Sequence, residues 1–258
     1  MESQRGKIIH MGERISTARA AALKSSCQEC SLSNLCLPLA VSSHDIDRLE
    51  DVVQQGQTID RGKHVFRQND PFRSCYAVRS GAVKTYIISD SGEEQITGFY
   101  LPGEIIGLDS MGPDGYSCSA KALDRSSFCE IPFNRLEELA TRIPSLQHHF
   151  FQLMSQEIKN SHNLSLLLSK NSAEERIATL LLSLSTRFSR RRLSSTELIL
   201  PMPRHDIANY LGLAVETVSR VMTRFQRQGL IGSHGREVSL KDIPALKAVA
   251  HGGCQKDD

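Results

Sequence analysis

The chain has 258 residues, 40% of them apolar, which suffices for two modest domains with real cores. The formal net charge of +2 excludes a chain that is basic throughout, so any nucleic-acid surface must be local. No apolar run is long enough to cross a bilayer, and the opening MESQRGKIIHMGER lacks a signal peptide's apolar core. The expectation is therefore a cytoplasmic protein with no membrane partner.

Residues 1–26 show no periodicity and read as a flexible arm that extends to residue 38. Seven cysteines, an odd number in a reducing compartment, argue against a disulfide framework and for metal or redox chemistry. Three of them, Cys27, Cys30 and Cys36, stand close together in CQECSLSNLCLP. Thiols so spaced allow one loop to wrap a single metal centre. A fourth ligand must come from elsewhere: Cys75, Cys118, Cys129, Cys254 or a histidine. A structural zinc ion is one reading of such a centre, although a second CxxC is absent.

Residues 39–142 form the next unit. Between 46 and 131, short apolar runs alternate with turn signals such as Asn69–Pro71, Asp90–Gly92 and Leu101–Gly103. VFRQ, CYAVRS, AVKTYII, EQITGFY and SFCEIPF fit strands of an antiparallel roll. The turn Asp90-Ser91-Gly92 joins two of these strands and exposes Ser89, Asp90, Ser91, Gly92, Glu93 and Glu94 as a contact surface.

Pro144 opens a long helix, so residues 143–170 form a third unit. Phe151, Met154, Ile158, Ser161, Ser165 and Leu168 recur at alternating steps of three and four. That is the seam two parallel helices share in a homodimer. Leu146, Phe150, Leu153, Leu164 and Leu167 make a second stripe for the sheet domain.

Ser172-Ala-Glu-Glu175 is a capping box that opens a fourth unit, residues 171–250. A helix over 173–187 precedes a basic loop. Arg187, Arg190, Arg191, Arg192, Arg204, Arg220, Arg224 and Arg227 give this third of the chain a basic footprint, with solvated loop charge as the alternative for 190–192. Residues 204–228 read as helix, tight turn at Gly212–Leu213, and second helix. The second carries Glu216, Thr217, Ser219, Arg220 and Arg224, polar tips suited to base edges in a major groove. Residues 230–240 fold as two strands about His234–Gly235, a wing. Residues 251–258 read as a disordered tail. There is no phosphate loop, nucleophile elbow or metalloprotease motif, and His148–His149 cannot face one metal from adjacent helix positions, so the chain does not read as an enzyme.

Cysteine arm, roll, dimer helix and winged helix-turn-helix, in that order, resemble the cyclic AMP receptor/fumarate-nitrate reduction regulator (CRP/FNR) family, and within it the oxygen-sensing FNR/ANR branch. The passages that carry the likeness are C-x2-C-x5-C, EEQITGF, FCEIPF, and LGLAVETVSR followed by RFQ. The resemblance implies an α+β architecture: a jelly-roll sensor of the cyclic-nucleotide-binding type, a dimerisation helix and a DNA-binding domain. It implies Cys129, which precedes the glutamate of CEIPF, as fourth ligand of one oxygen-labile [4Fe–4S] cluster per chain. Ser31 and Leu35 become candidate modulators of access. Glu216, Ser219 and Arg220 become base readers on palindromes like TTGAT-N4-ATCAA. The loop from Ser89 to Glu94 becomes a contact for RNA polymerase in an activator of anaerobic gene expression. The passage Tyr116-Ser-Cys-Ser119 lacks the arginine with which the cyclic-nucleotide branch holds its phosphate, so no cyclic nucleotide is expected. Ser161 stands where the branch usually carries an acid on the dimer helix.

Overall fold

The structure is a computed structural model that describes residues 27–252 apart from Gln57 and Pro113. The readings made for 1–26 and for 253–258 lie outside the described residues. In chain order the elements are α1 (Ile46–Val52), β1 (Gln54–Gln55), β2 (His64–Phe66), β3 (Ser74–Ser80), β4 (Val83–Ile88), β5 (Glu94–Tyr100), β6 (Ile105–Ile106), β7 (Ser119–Ala122), β8 (Ser127–Pro132), α2 (Phe133–Arg142), α3 (Pro144–Lys170), α4 (Ala173–Arg190), β9 (Glu197–Ile199), α5 (Arg204–Leu211), α6 (Val215–Arg227), β10 (Ile231–His234), β11 (Glu237–Leu240) and α7 (Ile243–Ala250).

Two antiparallel four-stranded sheets, β1-β8-β3-β6 and β2-β7-β4-β5, make the roll. Phe66, Val78, Val83, Ile106, Tyr116 and Phe128 fill the space between them. A second core lies on the far side of the first sheet, where Leu49 of α1, Ile131 of β8, Leu136 of α2 and Leu146 of α3 meet Leu37. A third core belongs to the winged helix, and it continues onto Tyr86, Ile96 and Phe99 of the roll. The strand β4 shows the cause in its burial: Val83, Lys84, Thr85 and Tyr86 are all buried in succession, because one face meets the roll interior and the other meets the DNA-binding domain. A strand covered on both faces loses its alternation.

The helix-turn-helix forms where the sequence placed it. Gly212 caps α5 at φ 60°, a left-handed geometry that glycine adopts without penalty. The capping box at Ser172 and Glu175 starts α4. The wing pairs Ile231 with Leu240 through His234 with Glu237, and β9 adds a third strand.

Several expectations need correction. Ile46–Val52 is a helix, not the start of the strand pattern, since Ile46, Leu49 and Val52 all point into the second core at helical spacing. SFCEIPF is a strand only to Pro132; Phe133 begins α2, which buries Leu136, Leu139 and Ala140. The helix α7 was not foreseen. The cysteine-bearing residues 27–40 are not a free arm: Leu37 is 1% exposed, and two short 3-10 turns, Ser33–Leu35 and Leu37–Ala40, lay this stretch on the sheet, the second of them against α3.

Candidate metal centre and nucleic-acid interface

The strand β8 places Cys129 beside β1 and β3, opposite Gln55 and Ala77. The two 3-10 turns fold the arm over it. The result is one cavity lined by Cys27, Cys30, Cys36 and Cys129 together with Leu32, Val53, Val78 and Arg79. Cys75 and Cys118 are buried elsewhere, near Asp109. Of the candidate fourth thiols within the described residues, only Cys129 shares the cavity. Cys254 lies outside them.

Burial raises the Cys27 thiol to about 12, and the charge it would feel from Cys129, Glu50 and Cys30 adds to this. Cys36 is likewise held at about 12, chiefly by burial. Burial also raises Cys129, with Arg79 working against it. In this apolar cavity Cys27, Cys36 and Cys129 stay protonated unless a cationic core compensates several thiolates at once. Among the described residues no three His, Cys, Asp or Glu side chains converge as a single ion requires. Four thiolates around one zinc would stand about 3.8 Å apart. The donor set is four soft sulfurs lining one apolar cavity, which is the ligand chemistry that iron–sulfur and zinc centres share.

Leu35 does not line the cavity. It packs under Gly103, where an added Cβ would come 2.8 Å from that of Leu35 and the glycine φ is 89°. Ser31 is exposed and also stands outside the lining, whereas Leu32 and Ser33 belong to it. Sequence adjacency to cysteines could not show this; the 3-10 turn rotates alternate side chains away.

At the other end, α6 buries Val218, Val221, Met222 and Phe225 and exposes Glu216, Ser219, Arg220 and Arg224, with Thr217 half-buried. Arg220 donates to the Thr217 hydroxyl at 3.2 Å. Arg224 is held by Glu174 at the start of α4. Val215, 39% exposed at the tip of the helix, joins this face, a feature the polar-tip argument passed over. The basic footprint is smaller than the arginine count suggests. Arg187 and Arg191 turn inward to Glu104 of the roll, at 3.0 Å from Nε and 2.7 Å from Nη2 respectively. Both are committed to the roll by these bonds. Arg204 is half-buried against Ser233.

On α3, Phe151 and Ile158 are 59% and 55% exposed, and Ser161 and Ser165 are exposed beside them. Met154 and Leu168 are half-buried; Leu168 lies by Gly212 of the helix-turn-helix. Leu166, 59% exposed, is a further apolar side chain that the heptad count omitted. Of the second stripe, Leu146, Phe150 and Leu153 pack on the roll's outer core, and Leu167 packs on the DNA-binding core. The turn from Ser89 to Glu94 forms as expected, closed by the Gly92 amide donating to Ser89 O at 2.8 Å. Among the described residues no helix is long and apolar enough to cross a membrane.

Residues 57–142 match the cyclic nucleotide-binding domain family and residues 175–249 the Crp-like helix-turn-helix domain family. The chain is 51% identical over 237 residues to the transcriptional activator protein anr of Pseudomonas aeruginosa, covering 92% of this chain and 97% of that one. It is 42% identical over 224 residues to the fumarate and nitrate reduction regulatory protein of Escherichia coli K12, covering 87% and 90%. Among solved structures it is similar to FixK2 from Bradyrhizobium japonicum, with TM-score 0.71 and 30% identity over 77% of this chain and 97% of that one. Roll, long helix and winged helix-turn-helix therefore occur together with kinship along nine-tenths of the chain, and the protein belongs to the FNR/ANR branch of the CRP/FNR family of transcriptional regulators, which are not enzymes.

Proposed function

We propose that this protein is an oxygen-responsive activator of anaerobic genes, and that Cys27, Cys30, Cys36 and Cys129 hold a [4Fe–4S] cluster. The single observation that carries this is the common apolar cavity of these four thiols. Bound there, the cluster supplies an oxygen-labile centre whose integrity favours the dimer. The protein's own part is mechanical. The arm is fixed only while its cysteines are held; its second turn, Leu37–Ala40, rests on α3, whose Leu146, Phe150 and Leu153 pack in the same core. Loss of order in the arm is thus felt on the inner face of the helix whose outer face carries Phe151, Met154, Ile158, Ser161, Ser165 and Leu168 for a second copy.

Two copies related by a two-fold present two α6 helices to half-sites about one turn apart, as in TTGAT-N4-ATCAA. Arg220 can engage two guanine acceptors, and Glu216 can accept from a cytosine amino group. Ser219 and Thr217 complete the reading face, and Arg224 reaches the duplex by exchanging Glu174 for it. The loop from Ser89 to Glu94 faces RNA polymerase.

The roll's ancestral pocket does not suit a cyclic nucleotide. Tyr116 stacks on Phe66 with ring centres 3.9 Å apart and donates to Ser74 O. Ser117 donates to the Asp109 carboxylate at 2.7 Å, so the passage Tyr116–Ser119 has an acid beside it and supplies no arginine for a phosphate.

The test is anaerobic purification followed by iron, sulfide and zinc analysis, a visible spectrum and operator binding before and after air. About four irons and four sulfides per chain, with operator binding lost as the spectrum bleaches, is the expected result. Zinc alone, or unchanged binding in the bleached protein, overturns the proposal.

A further inference from the structure

The helix-turn-helix is docked on the roll by a contact that none of its DNA-facing residues explains. Strand β5 is the edge of its sheet and would leave a row of unpaired backbone groups. Asn209 of α5 fills that edge. Its carboxamide oxygen accepts from the Ile96 amide at 2.7 Å, and its nitrogen donates to Glu94 O at 2.7 Å. In return Gln95 Nε2 donates to Asn209 O at 3.1 Å. One turn earlier, the Asp206 carboxylate accepts from Lys84 Nζ at 2.8 Å, and Lys84 also reaches Glu94 at 2.6 Å. Lys84 and Asp206 are 7% and 3% exposed. Phe99 and Tyr210 close the contact with ring centres 5.0 Å apart.

A buried ion pair adds little net stability over apolar packing, but it strongly penalises any arrangement that separates its partners. Side-chain amides that satisfy a strand edge have equally narrow geometry. The contact therefore fixes an angle. The covalent link from α3 to α4 has its own tie, in which Arg176 donates to Leu168 O, Asn171 O and Leu211 O. That tie lies at the junction of α3 and α4. The contact at β5 lies on a second element and, with Arg187 and Arg191 on Glu104 and Arg236 on Asp124, fixes the angle at which the domain sits. Through the shared core of α5 and α6, the pose of the recognition helix is then set by the roll, and the roll is set on α3 by Leu146 and by Tyr100, whose hydroxyl donates to Glu157 at 2.6 Å.

We infer that Asn209, with the Lys84–Asp206 pair, is a positioning device that determines which half-site spacing the protein accepts, although neither touches DNA. The inference rests on the reading of this chain as a two-fold DNA binder. Moving one half-site by one base pair rotates it by about 35° and displaces it by about 3.4 Å. A docked domain cannot follow that rotation, while an undocked one can.

The experiment uses the full chain, purified without oxygen, in wild-type form and as N209A and the milder Q95A. Affinities are measured for TTGAT-N4-ATCAA, for the same half-sites moved one base pair closer or further apart, and for a duplex with a single half-site. Amide exchange at Ile96 reports whether the contact has opened. In N209A, Ile96 should exchange faster, and the preference for the native spacing over the shifted ones should fall roughly tenfold, as expected for losing the two hydrogen bonds of the Asn209 side chain. Single half-site affinity should change less than about twofold, and Q95A should fall between. If wild type prefers one spacing and both variants keep that preference in full, the inference is wrong. It is equally wrong if N209A weakens the single half-site as much as the palindrome, since Asn209 would then serve only the fold of the helix-turn-helix. A wild-type protein that binds no palindrome better than a single half-site removes the two-fold reading, and the inference with it.

Discussion

Two contacts hold the outer parts of this molecule to the roll, and they are made of different material. The arm is joined to the roll by apolar packing and thiols: Leu37 in a core, Leu35 under Gly103, and the cysteines around a cavity. The winged helix shares an apolar core with Tyr86, Ile96 and Phe99 of the roll and adds a set of ion pairs and hydrogen bonds: Arg187 and Arg191 on Glu104, Lys84 on Asp206, Arg236 on Asp124, and Asn209 on β5. Apolar packing is non-directional. A buried ion pair such as Lys84 with Asp206 strongly penalises separation of its partners. If the proposed oxygen response holds, the first joint is the one that loosens and the second the one that transmits.

The largest expected effect is on the first joint. Cys129→Ala removes the one thiol supplied by the sheet itself, so the arm has nothing to share a group with. Iron bound under anaerobic conditions should fall to a small fraction, and operator affinity should approach non-specific binding, a loss of about 10³-fold. A variant that retains full iron content breaks the assignment. Next comes the second joint. Burial would raise the Glu104 carboxyl, but Arg187 and Arg191 outweigh it and hold it below the ordinary range. A depressed folded-state value means that its stabilising contribution is present above the unfolded carboxylate range and lost as pH falls through the folded value. Glu104→Gln should therefore lower unfolding free energy near neutrality by about 2–3 kcal/mol, since Glu104 keeps some solvent, and should flatten the acid limb of stability. Thermal melts from neutral pH downward measure both. Iron content should not change; a parallel loss of iron would show that the two joints are not separate.

A smaller effect is expected on the reading face. Arg220→Ala should cost about 1–3 kcal/mol of operator affinity and relax preference at one base pair in each half-site, as seen by competition among single-base variants. Equal affinity for all operators would place Arg220 outside the interface.

How much of this was legible beforehand divides along the same line. Local patterns were sufficient for the helix-turn-helix, because Gly212 and the spacing of Ile207, Leu211, Val218 and Met222 are set within the segment. They were sufficient for the strands with turns at both ends. They failed for α2, since FCEIPF reads as one strand and nothing local marks Pro132 as its last residue. They failed more instructively for Arg187 and Arg191, which counted as basic surface until the fold brought Glu104 to them across more than eighty positions. Grouping Cys129 with the arm needed the family resemblance, because the sequence offered several thiols and only the folded sheet puts one beneath the arm. Asn209 carried no sequence signal at all, since its partners are backbone groups of an edge strand.

The smallest expected effect concerns the exposed face of α3, where the proposed dimer seam lies. Ser161 is exposed between Ile158 and Ser165, and in that proposal it would face its own copy across the two-fold. Like charges facing each other there would repel, while a hydroxyl does not. Natural dimerisation should thus be easy for this protein, so that the form without its cluster stays partly dimeric at micromolar concentration. Ser161→Asp should shift that form toward monomer by several-fold in dissociation constant, with a much smaller shift once the arm is held by its cluster. Sedimentation of both forms at two salt concentrations decides it. The effect must shrink at high salt, because screening removes repulsion between exposed charges. A shift that salt leaves untouched would trace to lost packing on the seam instead, and would mean that the dimer helix reads the arm through shape alone.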